Sequence, residues 1–165
     1  MGFANHLMWN LHHKTNLQFP DRPKVGELVA FRKIFERIPT KSSTDEANIE
    51  PLIFGQEYNV RYCPEAIVYN RGPASLREFL SRRRRNYAGH TRLKRNQGYQ
   101  VVTYSNFRIL GVFLGNLDWS NSKKMVWAVC IMMLEALARL FGVIDAYVRP
   151  NTLAIWKIAK STKKL

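Results

Sequence analysis

The chain has 165 residues, 26 of them Lys or Arg and 12 Asp or Glu, which gives a formal net charge of +14. With 46% hydrophobic and 12% aromatic residues, the composition excludes a disordered basic tail and is sufficient for one domain with a core. The excess of positive charge favours polyanionic partners: nucleic acid, anionic lipid or a phosphorylated ligand.

The N-terminal segment and the cysteines indicate a reducing, cytosolic environment. Residues 1–16 contain no apolar segment of signal-peptide length, so we expect the chain to begin on the cytosolic side. Cys63 and Cys130 are far apart and fit neither a zinc site nor a disulfide framework. Because Cys130 lies inside an apolar run, we expect its side chain to be buried.

Three short segments in the first half of the chain predict β-strands. Residues 26–33 (GELVAFRK) are rich in apolar, β-branched and aromatic side chains. Residues 58–63 (YNVRYC) and 65–70 (EAIVYN) have the same character and are separated by Pro64. Alternation of such segments with helices is typical of an α/β fold.

Two capping boxes predict where helices begin. Ser43 is followed three residues later by Glu46, and Ser75 is followed by Glu78 in the same way. The first helix is expected to begin near Thr44 and to be bent or shortened by a proline at position 51. The second is expected to begin near Ser75 and to contain the four consecutive arginines 82–85.

Residues 125–148 form the most apolar part of the sequence. The segment is about as long as a bilayer-crossing helix and is preceded by Lys123 and Lys124. Glu135 and Arg139 are four residues apart and are expected to pair on one helix face. Charges inside a membrane are costly, so a membrane span, an interfacial helix and a buried core helix all stay open.

The four arginines at 82–85 cannot share one solvated face, because successive helical residues are turned by about 100°. The apolar stripe of this helix consists of Leu76, Phe79, Leu80 and Tyr87. Arg83 projects into that stripe and therefore needs an acidic partner or a phosphate. Asp45 and Glu46 are the leading candidates for that partner.

Nucleic-acid binding is a competing interpretation of the basic run. Arg92, Lys94 and Arg95 extend the run, and nearby tyrosines at 87, 99 and 104 could stack on bases. No zinc knuckle, RNA-recognition signature or basic-zipper heptad accompanies these residues. We therefore expect nucleic acid not to be the partner.

The order of motifs in residues 45–90 resembles the C-terminal half of a family 2 glycosyltransferase catalytic domain. The matching features are an acidic pair at a helix start, the segment YNVRYCPEA and an arginine-rich helix followed by Gly89. The chain's ending, LAIWKIAKSTKKL, is similar to the close of a membrane-associated branch. The family contains inverting, nucleotide-sugar-dependent enzymes of GT-A type fold, many of them membrane bound.

This resemblance implies a domain organisation. Residues 1–100 would be the acceptor-side half of the catalytic domain, with a partial GT-A type α/β fold. Residues 101–124 would be a connector, and the resemblance leaves open whether this connector lies at the membrane surface. Residues 125–148 would be the membrane-associated or transmembrane helix, and residues 149–165 a basic tail.

The resemblance also assigns roles to individual residues. Asp45 or Glu46 would be the catalytic base, and the reversed order of the pair leaves open which one. Arg82, Arg83, Arg85 and Asn86 would bind the donor diphosphate and the acceptor. Asn86 occupies the place of a tryptophan that stacks on the acceptor sugar in the family, so processive polymer synthesis is not implied.

The family's donor-binding half, with its Asp-x-Asp motif, has no counterpart in the sequence. A Mg²⁺ or Mn²⁺ cofactor is implied by the resemblance, but its family ligands are not in this chain. We therefore expect a glycosyltransferase fragment or split subunit that is inactive without a separate N-terminal half. The implied partners are a nucleotide-sugar, an acceptor glycan or lipid, and a membrane. The alternative is a non-catalytic basic module that binds anionic membrane or nucleic acid.

Overall fold

The computed structural model describes residues 1–38 and 45–148, without the side chains of Asp45, Glu46 and Asn106. The predicted cap at Ser43 and the predicted tail 149–165 lie outside the described residues. The elements are α1 (Gly2–Gln18), α2 (Asp45–Phe54), α3 (Leu76–Gln97), a 3₁₀ turn (Val102–Tyr104), α4 (Asn106–Gly115) and α5 (Ser122–Val148). No strand occurs in the described ranges, so this part of the chain is all-helical and the α/β prediction is wrong.

The three predicted strands are irregular segments in the structure. Residues 26–33, 58–63 and 65–70 form no β-ladder with any described part of the chain. Several of their large side chains are exposed, including Ile67 and Tyr69, which is 94% exposed. A β-branched, aromatic composition gives only a local preference, whereas a strand also needs a partner for its backbone groups. The α/β prediction fails because the described part of the chain contains no partner strand for these segments.

Helix α3 begins and ends where its sequence indicates. The Ser75 hydroxyl accepts a hydrogen bond from the Glu78 N–H at 3.2 Å, and the Glu78 carboxylate accepts one from the Ala74 N–H at 3.3 Å. The carboxylate thus caps one residue earlier than in a standard capping box. At the other end Gly98 adopts a left-handed conformation with φ of 67°, which a glycine takes without strain. The helix predicted from Ser75 is confirmed.

The core lies where α1, α3, α4 and the start of α5 meet. Small and medium apolar side chains recur at helical spacing on the inner face of each helix. Its buried members are Ala4, Met8 and Leu11 of α1, Phe79 of α3, Ile109, Val112 and Phe113 of α4, and Ala128 and Ile131 of α5. Of the predicted α3 stripe, Phe79 and Tyr87 are buried, Leu80 is half-buried and Leu76 is exposed.

Helices α3 and α5 pack side by side and run parallel. Their contacts, in order along α3, are Arg83 with Glu135, Tyr87 with Arg139, and Arg95 with Tyr147. Because the residue numbers increase together on both helices, the two axes point the same way. The 3₁₀ turn and α4 supply the crossover that a parallel pair requires.

Helix α5 contains the long apolar segment and is long and apolar enough to cross a membrane. One of its faces packs on α3, and the opposite face exposes large apolar side chains. Cys130 is exposed, so the prediction that it is buried is wrong. An uninterrupted apolar run does not show which of its members face inward, and this cysteine lies on the outward side.

Gly142 permits the close approach of α5 to α3. A Cβ atom at this position would lie 2.7 Å from the Arg84 carbonyl oxygen and 2.9 Å from the Tyr87 Cβ. The first of these neighbours is backbone, which cannot move aside without shifting the helix. A side chain at this position must therefore separate the two helices.

We expect Gly142→Ala to destabilise the protein by about 1–3 kcal/mol, the usual cost of overpacking. The measurement is the midpoint of chemical unfolding, followed by circular dichroism in one mild detergent. Gly111→Ala is the matched control, because Gly111 is also inside a helix but has no atom within 4 Å of its Cβ position. Alanine should stabilise that helix slightly. Equal effects of the two substitutions would contradict the packing described for Gly142.

Candidate functional site

A small cavity lies between α1, the segment after it and the arginine helix α3. We call it the arginine cavity; its volume is about 50 Å³. Its lining includes cationic, carboxylate, amide and imidazole side chains. The lining residues that bear on function are Trp9, His12, Lys24, Glu27, Arg82, Arg83 and Asn86. The structure thus brings three of the predicted binding residues, Arg82, Arg83 and Asn86, to one cavity.

The position of Lys24 at this cavity is fixed by α1. The Asn16 side chain donates a hydrogen bond to the Lys24 carbonyl oxygen at 3.1 Å and accepts one from the Lys24 N–H at 2.7 Å. Asn16 itself is buried on the inner face of α1. This two-way contact holds the backbone after α1 against the helix. Sequence reasoning did not identify Lys24, because no local pattern places it beside α3.

Glu27 contributes a carboxylate to the lining of the cavity. The Arg82 Nη2 donates to the Glu27 Oε1 at 2.9 Å, and both side chains are substantially exposed. An ion pair in such contact with water contributes little to stability and is easily exchanged for another anion. Lys24, Arg82 and Arg83 outnumber this one carboxylate in the lining, so the cavity is electropositive.

Arg83 forms a buried charge cluster with Glu135 and Arg139. Its Nε and Nη2 donate to the two Glu135 carboxylate oxygens, each at 2.6 Å, and Arg139 donates to the same carboxylate at 3.1 Å. The Glu135 side chain is only 4% exposed. Two predictions are confirmed: Arg83 points inward to an acidic partner, and Glu135 pairs with Arg139.

The identity of the Arg83 partner differs from the prediction. The structure places Glu135 of α5 there, whereas Asp45 or Glu46 was expected. The side chains of Asp45 and Glu46 lie outside the described residues. A sequence signal for Glu135 did exist: it is a lone carboxylate in an apolar run, and such a group needs a buried cation.

The other two arginines of the run are engaged differently. Arg84 donates through Nε and Nη2 to the Asp145 carboxylate on α5. Arg85 donates through Nε to the Asn86 Oδ1 at 3.3 Å. Asn86 is thereby held at the cavity, but Arg85 itself does not line it. Its role in binding a diphosphate stays a prediction.

Two histidines beside the cavity are held in the neutral form. Burial lowers the pKa of His12 well below 6.5, and the positive charges of Lys24 and Arg83 lower it further. Burial and the same charges lower the pKa of His90 to about 3. Neutral imidazole can hydrogen-bond to a ligand but adds no positive charge. His13 is occupied elsewhere, by a 2.7 Å hydrogen bond with the Tyr62 hydroxyl.

Helix α2 contributes a buried carboxyl group that sequence reasoning missed. Glu50 is 1% exposed, and neither of its oxygens has a hydrogen-bond partner in the described structure. Burial raises the pKa of Glu50 to about 7, against the opposing effects of Tyr99 and Lys24. The Tyr99 hydroxyl lies near Glu50 but outside hydrogen-bonding geometry. A carboxyl group with such a pKa can exchange a proton near neutral pH.

The tyrosines proposed as base-stacking residues are engaged within the protein. The rings of Tyr87 and Tyr104 stack with centroids 5.0 Å apart and an angle of 4° between their planes. Tyr99 stacks against Phe54 at 6.2 Å. A ring packed against another ring on one face offers less surface to a base. These contacts favour a structural role for the three tyrosines.

The described residues do not offer a divalent-cation site. Among the side chains that the structure describes, no three His, Cys, Asp or Glu come together. Mg²⁺ and Mn²⁺ prefer several oxygen ligands around one position. The described side chains therefore do not fit the cofactor implied by the family resemblance, and we assign it no step.

A larger cavity, of about 140 Å³, lies between α1, α4 and the start of α5. Its lining is mainly apolar, and none of the predicted site residues contributes to it. We therefore regard the arginine cavity as the candidate site, because the predicted residues and the positive charge converge there.

Comparisons of this chain with protein-family models, curated proteins and solved structures found no match. The resemblance to family 2 glycosyltransferases thus depends on the sequence motifs alone.

We expect Glu135→Gln to destabilise the fold by about 3–5 kcal/mol, because it leaves buried arginines without a counter-charge. Unfolding by urea is the measurement. The control is the double variant Arg83→Met/Glu135→Leu, which removes the Arg83–Glu135 pair and should recover part of the loss. Equal stability of Glu135→Gln and the parent chain would contradict a buried charge cluster.

Glu50 should make stability fall as the pH rises. Below pH 4.5 the carboxyl group is protonated in both the folded and the unfolded chain, so its contribution is fully present. Between pH 4.5 and 7 the unfolded chain releases the proton first, and the contribution is lost as the pH passes through the folded pKa of about 7. Glu50→Gln should flatten this part of the pH profile. The exposed Glu36→Gln variant is the control and should leave the profile unchanged.

Proposed function

We propose that this chain is the anion-binding, acceptor-side part of a membrane-associated glycosyltransferase that uses a nucleotide-sugar donor. The arginine cavity is the observation that carries the proposal. It gathers cationic groups and Asn86 at the arginine helix, the segment that resembles the family's motif. The catalytic base would be Asp45 or Glu46, and a second chain or chain segment would complete the donor site.

The charge of the arginine cavity suits a diphosphate leaving group. Lys24 follows α1 and Arg82 belongs to α3, and both line the cavity together with the amide of Asn86. Fixed cations aimed at the leaving group stabilise the negative charge that develops on it during transfer. Arginine is especially suited to this role, because its planar guanidinium binds phosphate oxygens in pairs. The exposed Arg82–Glu27 pair can open to accept such a group.

The small volume of the cavity supports the proposal that this chain forms only part of a nucleotide-sugar site. Its volume of about 50 Å³ is well below the roughly 300 Å³ at which small-molecule pockets begin. The described residues can hold a phosphate group or part of a sugar, but not a whole nucleotide-sugar. An additional polypeptide would have to form the remaining walls. This is the expected property of a fragment or split subunit that is inactive alone.

Helix α5 supports membrane association of the same chain. It is long and apolar enough for a membrane, and the net charge of +14 attracts the anionic cytoplasmic leaflet. We propose that the arginine cavity lies on the cytoplasmic side. Nucleic-acid binding has less support, because the tyrosines that could stack on bases are packed against other rings of the protein.

Binding of inorganic pyrophosphate tests the arginine cavity directly. By calorimetry in detergent, Arg82→Ala should weaken binding about tenfold, the effect of losing one charge-assisted hydrogen bond. Arg77→Ala is the matched control, because Arg77 is an exposed arginine of α3 that does not line the cavity. Equal weakening by both variants would show that binding follows net charge alone.

Turnover is a separate test of the transferase assignment. The isolated chain should release no nucleoside diphosphate from nucleotide-sugars with Mg²⁺ or Mn²⁺, and release should appear when a donor-binding half is added. Neutralising the true base among Asp45 and Glu46 should then abolish release, and Arg85→Ala should reduce it. Robust release by the chain alone would contradict the proposal.

A further inference from the structure

We propose that α5 lies in the plane of the membrane surface, with its outer face in the lipid and α3 covering its other side. The outer face is defined by Val126, Met133, Leu137, Leu140 and Ile144, all of them exposed in the structure. This inference uses the membrane association proposed above, but it does not depend on the sugar chemistry. It concerns which surface meets the lipid and how the helix is oriented.

The charges of α5 are segregated away from its outer face. Between Met125 and Val148 the charged residues are Glu135, Arg139 and Asp145, and all three contact α3 or its neighbouring turn. Lys123 and Lys124 lie at the start of the helix, beside the exposed Trp119. Lysine and tryptophan at the edge of an apolar surface are typical of contact with the headgroup layer.

A membrane-spanning orientation conflicts with the packing of α3 along α5. The two helices remain in contact from Arg83 and Glu135 to Arg95 and Tyr147. A spanning α5 would therefore carry α3, with its many arginines, into the hydrocarbon layer. Each such charge costs about 2.5–3.5 kcal/mol at the centre of a bilayer by insertion scales. Separation of the helices would instead leave Glu135 and Asp145 without their arginines in lipid.

An in-plane orientation satisfies both faces of α5 at once. An interfacial helix sinks its apolar side about 5–10 Å into the boundary between headgroups and acyl chains. The arginine helix would then remain in water or among the headgroups, where its exposed cations Arg77 and Lys94 can attract anionic lipid.

The dimensions of the outer face favour a lipid surface over a second copy of the chain. Trp127 and Val129 are both exposed and flank the face on opposite sides. At about 100° per residue the apolar arc is about 160° wide, broader than the two positions in seven of a coiled-coil seam. A net charge of +14 also opposes self-association and favours an anionic surface.

The test is the depth of single spin labels on the full chain bound to vesicles of phosphatidylcholine with and without phosphatidylglycerol. In a Cys63→Ser/Cys130→Ser background, one cysteine is introduced at a time by Val126→Cys, Met133→Cys, Leu140→Cys or Ile144→Cys. Leu28→Cys is the control, at a residue that is 68% exposed but lies outside α5. We expect the four α5 labels to have similar shallow depths, the control label to be in water, and binding to be stronger on anionic vesicles.

Each other pattern of label depth would overturn the proposal. Depth that rises to a maximum near Met133 and Leu140 would indicate a span and would leave membrane association intact. Four labels in water would overturn both the orientation and the membrane association. Labels shielded from lipid and water that couple magnetically between copies would show that a second copy covers the face. None of these outcomes bears on pyrophosphate binding at the arginine cavity.

A vesicle-flotation assay with matched substitutions provides an independent check. Leu140→Glu should reduce the vesicle partition coefficient about ten- to a hundredfold, the factor predicted for the lost burial of one leucine. Leu28→Glu introduces the same change at an exposed leucine away from α5 and should have no comparable effect. Circular dichroism confirms that both variants are folded. An equal loss with both variants would overturn the assignment of the outer face.

Discussion

The two arginines that share the Glu135 carboxylate determine how the described helices are arranged. Arg83 and Arg139 are too costly to bury alone, so the one carboxylate between them fixes the register of α3 against α5. Once that register is set, Gly142 faces the α3 backbone and Asp145 meets Arg84. The close approach at Gly142 and this set of charge pairs therefore specify the same register. The arginine cavity depends on that register as well, because Arg83 is one of its lining residues.

The arginine helix separates two functions on two of its sides. Arg83 and Arg84 are used to hold α5, while Arg82 and Asn86 face the cavity with Lys24. The same four-residue run therefore supplies structural cations and candidate ligand-binding ones. A mutation in the run cannot be interpreted without knowing which side it affects. Loss of binding after a change at Arg82 is informative about a ligand, whereas loss after a change at Arg83 also reports on folding.

Local patterns predicted the helices better than they predicted what the helices contact. The cap at Ser75 and the pairing of Glu135 with Arg139 involve residues three or four apart, and both are present. The strand predictions were wrong because pairing requires a distant partner, which short β-rich segments cannot specify. For Arg83 the need for an acid was predictable, but the choice of Glu135 is a tertiary contact. Lys24 and Glu50 belong to no recognisable sequence motif, so only the folded structure shows that Lys24 lines the cavity and that Glu50 is buried.

The parallel arrangement of α3 and α5 has a consequence for synthesis of the chain. Arg83 and Glu135 are 52 residues apart, so Arg83 and Arg84 leave the ribosome well before Glu135 and Asp145, the carboxylates that pair with them. At a rate of about 5–20 residues per second, that interval is on the order of several seconds. During this time the helix has its positive charges but not the carboxylates that neutralise them in the finished protein. A nascent chain in this state would be held by any nearby polyanion, including the ribosomal RNA, until α5 emerges and competes for the arginines.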